Sequence, residues 1–105
     1  MLLIAGLAGL AACGARARQT TPPLDGRAIF QTAGCGRCHT LAAAGTHGEI
    51  GPNLDTFRPR PTRSSVLFRL TYGAGGMPSF AGRLTERQME AVADFVARSA
   101  GAGSR

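Results

Sequence analysis

Cys35-Gly36-Arg37-Cys38-His39 places two thiols three positions apart and follows the second with an imidazole. That spacing is the attachment pattern of c-type haem. Two such thiols can add to the vinyl groups along one porphyrin edge, and the next residue can bring its ring under the iron. Cys35 and Cys38 are therefore the expected covalent anchors and His39 the expected proximal ligand. Two other chemistries use a Cys-x-x-Cys pair: a thioredoxin-like dithiol and half of a zinc site. The zinc site needs a second ligand pair, and the remaining cysteine, Cys13, lies far away in a different kind of segment. The dithiol expects a preceding strand in a βαβ unit, and none is visible.

Working outward, Gly34 closes a short helix that Asp25 opens as N-cap, with Gly26, Ile29, Phe30 and Ala33 towards the core. Residues 40–61 hold many Gly and Pro and read as one long functional loop. Thr62 caps a second helix from Arg63 to Tyr72, with Val66, Leu67 and Leu70 at helical spacing and Gly73 as the stop. Thr85 and Gln88 form a capping box for the last helix, where Met89, Val92, Ala93 and Val96 line one stripe with Phe95 beside it. No segment alternates like a strand. The expected fold is all-α, three to four short helices around one covalent haem. Cores of this size rarely supply more than about 3–5 kcal/mol and need a staple. Haem would be that staple, so the haem-free chain is expected to be largely unfolded.

The chain has 105 residues, enough for one small domain and an extension. Residues 1–12 are apolar and uncharged, too short for the roughly 20 residues of a bilayer span, and fit the h-region of a secretory signal. Leu10-Ala11-Ala12-Cys13 resembles a bacterial lipobox, with Cys13 lipidated as the mature N-terminus; the odd cysteine count supports this. A plain secretory signal or an uncleaved anchor is the alternative. No Lys or Arg precedes the apolar run, which leaves its N-terminal extent open. Residues 13–23 read as a flexible tether, 24–99 as the folded domain and 100–105 as a disordered tail.

All twelve basic residues are Arg, against six acids, for a formal charge of +6. A positive surface suits an acidic protein partner or anionic lipid, although arginines that simply solvate the surface are an equal reading. No basic run is interleaved with stacking aromatics, which argues against nucleic acid.

For the sixth iron ligand the chain offers Met77, Met89 and His47. Met89 sits in the core stripe of the last helix and reads as packing. His47 lies close to His39 in sequence, too near to reach the opposite face easily, and reads as a solvated loop residue. Met77 stands in Gly75-Gly76-Met77-Pro78, a flexible turn followed by a residue that restricts the backbone. It is the expected distal ligand.

Residues 24–99 resemble the small single-haem class I cytochromes c of bacteria, in a lipoprotein form. The resemblance rests on Gly26-x-x-x-Phe30 before the Cys-x-x-Cys-His run, then Gly51-Pro52-Asn53-Leu54, then Gly76-Met77-Pro78, then Phe95. It implies that the first and last helices cross at Gly26, with Phe30 packed on Phe95. It further implies that the Pro52 carbonyl accepts the Nδ1–H of His39, that Leu54 lies against the haem, and that Tyr72 borders the pocket. Nothing functional carries over to residues 41–50. His/Met ligation leaves no open iron position, so the expected role is a one-electron carrier rather than an enzyme, in an extracytoplasmic respiratory chain and held by its lipid. Expected partners are redox proteins such as quinol–cytochrome c reductase or a terminal oxidase, met as a monomer, with Arg37, Arg58, Arg60 and Arg63 contributing to docking. A haem c subunit dedicated to one dehydrogenase or oxidase is the alternative. A gas-binding or catalytic haem with a dissociable Met77 is the third reading.

Overall fold

A computed structural model describes residues 24–101; the expected signal segment, lipobox Cys13 and tether lie outside them. Helix α1 spans Gly26–Thr32, α2 Arg63–Tyr72 and α3 Glu86–Ser99. Each starts where a polar side chain accepts the first free amides. Asp25 Oδ1 accepts from the N–H groups of Arg27 and Ala28. Thr85 Oγ1 accepts from the Gln88 amide while Gln88 Oε1 accepts from the Thr85 amide. Thr62 and Ser65 make a second reciprocal box, one that the sequence reading missed because its partner is a serine rather than Glu or Gln.

Both α1 and α2 pack on α3. The α1–α3 crossing is close because Gly26 has no side chain: a Cβ there would overlap the Ala91 carbonyl oxygen and lie 2.8 Å from Phe95 Cβ. One turn along, Phe30 meets Phe95 edge to face, with ring centroids 5.9 Å apart. Met89, Val92, Ala93, Phe95 and Val96 are the buried residues of α3, as the stripe predicted, and Leu70 is the buried residue of α2. Met89 is a core side chain, in keeping with its reading as packing. Among the described residues no helix is long and apolar enough to cross a membrane.

Two expectations need correction. The fold is not purely helical: β1 (Thr40–Leu41) pairs antiparallel with β2 (Thr46–His47), with a short 3₁₀ turn, Ala42–Ala44, between them. The segment read as one long irregular loop therefore begins with an ordered hairpin that drives Leu41 and Ala44 into the core. Two-residue strands have no room to show a period of two. The ordered domain also runs past residue 99. Ala100 is fully buried, its carbonyl accepts from Arg60 Nε at 2.9 Å, and the Gly101 amide donates to the Leu54 carbonyl. The end of a helix leaves carbonyls without intrahelical partners, and here an arginine from another segment supplies donors.

Candidate haem-binding site

The motif cysteines sit on a 3₁₀ turn, Cys35–Arg37, that follows α1 directly. Gly34 turns the chain there with φ +86°, in the left-handed region. The Cys35 carbonyl accepts the amides of both Cys38 and His39, so the turn presents both thiols and the imidazole within one compact loop. Cys35 and Cys38 are half-buried free thiols. Burial pushes the Cys35 thiol up to about 11, with a backbone hydrogen bond lowering it and the charge of Cys38 raising it. A redox dithiol needs the opposite shift, towards an accessible thiolate. Among the described residues no cluster of three or more His, Cys, Asp or Glu could hold a metal ion.

His39 is oriented from two sides. Its Nδ1–H donates to the Pro52 carbonyl at 2.7 Å. A carbonyl only accepts, so the proton is fixed on Nδ1 and the Nε2 lone pair is left for a metal. Gly51 lies against the ring: a Cβ there would stand 2.7 Å from His39 Cε1. The Gly51 amide in turn donates to the Cys38 carbonyl at 2.7 Å. The next residues are tied in as well. The Leu54 amide donates to the Thr40 carbonyl, and both Asp55 carboxylate oxygens accept from the Ala42 amide at 3.1 Å.

Met77 is half-buried against the core in a turn that is tighter than the flexible one expected. Ala74 and Met77 exchange two backbone hydrogen bonds, at 3.1 and 2.8 Å. Gly73, φ +74°, lets the chain fold back on itself, since a Cβ there would lie 2.7 Å from the Met77 carbonyl oxygen. Past Pro78 the turn is stapled to the end of α2: Ser79 Oγ donates to the Thr71 carbonyl at 2.6 Å and the Phe80 amide to the Leu70 carbonyl at 2.7 Å. Phe80 is buried, with Arg83 over its ring face at 5.8 Å.

Leu54 is half-buried on the edge of the core, as are Val66 and Leu67. Tyr72 is exposed, its ring 4.8 Å from that of Phe68 on the same helix. Phe57 and Ile50 add further exposed apolar surface. His47 is exposed on β2 opposite Thr40. Of the arginines expected on a docking surface, Arg37 is exposed, and Arg63 faces Glu90 at 3.8 Å. Arg58 Nη1 donates to the Phe57 carbonyl. Arg60 is different: its guanidinium holds the Ala100 and Arg98 carbonyls, which makes it a helix-end clamp.

The donor set fits covalent haem. Two thiols, one imidazole with Nδ1 satisfied and one half-buried thioether are what a c-type haem takes, and Gly51 leaves the imidazole room. The hairpin supplies positions that sequence reasoning missed. Thr46 Oγ1 donates to the His39 carbonyl and Thr40 Oγ1 to the Gly48 carbonyl, both at 2.9 Å. The available signal was two threonines and two glycines in a segment otherwise rich in Ala.

Known proteins resemble this chain in sequence and fold. Residues 21–96 match the family described as cytochrome c oxidase, cbb3-type, subunit III. Cytochrome c6 of Petalonia fascia is 35% identical over 78 residues, covering 69% of this chain and 86% of that protein. Cytochrome c6 of Leptolyngbya boryana is 32% identical over 66 residues, covering 61% and 78%. Among solved structures, the c-type cytochrome SorU from Sinorhizobium meliloti superposes with TM-score 0.65 at 43% identity, covering 72% of this chain and 87% of that one. Cytochrome c6 from the diatom Phaeodactylum tricornutum gives TM-score 0.56 at 35% identity, covering 74% and 93%.

Proposed function

Because this chain belongs to the class I single-haem cytochromes c, with one covalent haem c and electron transfer as its chemistry, we propose that it is a one-electron carrier of an extracytoplasmic respiratory chain, bound at Cys35 and Cys38 and ligated by His39 and Met77. The observation that carries the ligand assignment is the 2.7 Å bond from His39 Nδ1–H to the Pro52 carbonyl, which holds the ring in one orientation with Nε2 free. Haem c supplies one-electron exchange between ferric and ferrous iron.

The chain's own residues decide how that exchange is used. Pro52 polarises His39 through the Nδ1 bond and makes Nε2 a stronger donor. The hydrogen-bonded turn from Ala74 to Met77 fixes the backbone that presents the thioether, and as a ligand Met77 would favour the reduced state. If His39 and Met77 both held the iron, no position on it would remain for substrate or dioxygen, which favours carriage over catalysis. Leu54, half-buried at the core edge, would lie against the group, and Tyr72 would border its pocket. Arg37 and Arg58 give a basic surface that steers an acidic redox partner, such as quinol–cytochrome c reductase or a terminal oxidase, into brief encounters. Lipidation of Cys13 would hold a monomer at the outer face of the cytoplasmic membrane.

Optical spectroscopy and potentiometry of the holoprotein test this reading. A ferric spectrum with the methionine–iron charge-transfer band and no rapid carbon monoxide binding after reduction is expected. A missing band, or fast carbon monoxide binding, would overturn the closed six-coordinate site. The match to an oxidase-subunit family favours a second reading, a haem subunit dedicated to one complex. Stable co-purification with a catalytic subunit would select it over the free carrier.

A further inference from the structure

We propose that Thr46 is a positioning residue for His39, acting through the ligand's backbone. This rests on the assignment of His39 as axial ligand. The Pro52 bond fixes the imidazole by its outer edge, but a ring is only as well placed as the main chain that carries it. At His39 the amide donates back to Cys35, within the motif turn. The carbonyl points the other way and accepts from Thr46 Oγ1 at 2.9 Å, while the same hydroxyl stands 3.5 Å from the Leu41 carbonyl.

Thr46 touches the turn a second time with its carbon atoms. Gly36 lies between the two cysteines, and a Cβ on Gly36 would overlap Thr46 Cγ2 and stand 2.7 Å from Thr46 Cβ. One half-buried side chain thus holds the ligand's carbonyl with its hydroxyl and presses on the middle of the Cys-x-x-Cys loop with its methyl face. Thr46 stands directly on the core. Its register partner across the hairpin is Leu41, which is fully buried in the core. The β1–β2 hairpin therefore couples the core to the proximal ligand loop at one residue. The two contacts make separable demands: the hydroxyl sets the orientation of His39, and the methyl sets how closely the hairpin rests on Gly36.

The test uses holoprotein with Thr46→Val, which keeps the shape and loses the donor, and Thr46→Ser, which keeps the donor and loses the methyl. The readouts are the paramagnetic NMR shifts of the ferric haem methyl groups, which follow the axial ligand planes, and solvent exchange of the His39 Nδ1 proton. Thr46→Val is expected to reorder or spread the methyl shifts and to speed Nδ1 exchange about five- to tenfold, the size set by one ordinary hydrogen bond. Thr46→Ser is expected to match the wild type in both readouts while melting at a lower temperature. If Thr46→Val yields no holoprotein, Thr46→Ala against Thr46→Ser gives the same comparison, since only serine keeps the donor. A donor-less variant with wild-type shifts and exchange, even if less stable, would overturn the role and leave Thr46 as packing. Histidine ¹⁵N labelling of the wild type separates the two failures. Assignment of the ligand to a residue other than His39 would overturn both readings, whereas a His39 ligand with an unchanged Thr46→Val spectrum would overturn this one alone.

Discussion

Met77 brings a thioether to a half-buried position through a backbone turn closed by two hydrogen bonds, so the side chain can be changed without undoing the turn. Met77→Ala should leave the helices intact, abolish the charge-transfer band and lower the reduction potential by on the order of 0.1–0.2 V, a fraction of the ~0.8 V range that axial ligands span. An unchanged potential would refute the ligand role. Gly51 makes the complementary case on the proximal side. Gly51→Ala puts a methyl 2.7 Å from His39 Cε1, so the ring must shift. The expected cost is about 1–3 kcal/mol of stability, read by denaturant melts of the holoprotein, together with a shifted ferric spectrum. The motif itself was legible because covalent attachment and axial ligation demand particular residue types at fixed spacing. Thr46 was not legible, since a hydroxyl bonding a carbonyl seven residues earlier leaves no sequence pattern.

The elements differ in how openly the sequence declares them. Helices α2 and α3 begin at threonine caps and carry apolar positions at helical spacing, so both starts, and the end of α2 before Gly73, could be read directly. Thr85→Ala removes the acceptor that holds the Gln88 amide and should cost roughly 1 kcal/mol, measured as a lower midpoint in urea at unchanged slope. Gly26→Val is the harsher change, because the added atoms enter the Ala91 carbonyl and the Phe95 side chain at the helix crossing. It should lower stability by about 3 kcal/mol or more, at the upper end of overpacking, and a variant with wild-type stability would show that α1 and α3 do not cross there. The β1–β2 hairpin was invisible for a physical reason. Its strands are two residues each, and what holds them is side-chain bonding from Thr40 and Thr46 together with burial of Leu41 and Ala44.

Across the described domain, nine arginines face six acids, and the remaining three arginines lie outside it. Association with an acidic partner should therefore slow as salt rises and the Debye length falls below about 10 Å; stopped-flow rates independent of ionic strength would exclude steering. The small core makes a second demand. Among the described residues the largest side chains buried essentially completely are Phe30, Leu41 and Val92, and several apolar residues remain exposed. Cys35→Ala/Cys38→Ala, which cannot form thioethers, should give a largely unfolded circular dichroism spectrum, and a native-like one would refute the need for haem as a staple. The sequence by itself determined the attachment motif, the three helices with their caps, and Met77 as the candidate distal ligand, because each is encoded by residues close together in the chain. The family resemblance already implied that Pro52 meets His39 Nδ1, and the structure shows it; only the tertiary structure decided that Arg60 clamps the end of α3 and that Thr46 bonds the His39 carbonyl. Those contacts join residues 7 to 40 positions apart, and their partners are chosen by how the elements pack, which no local spacing records.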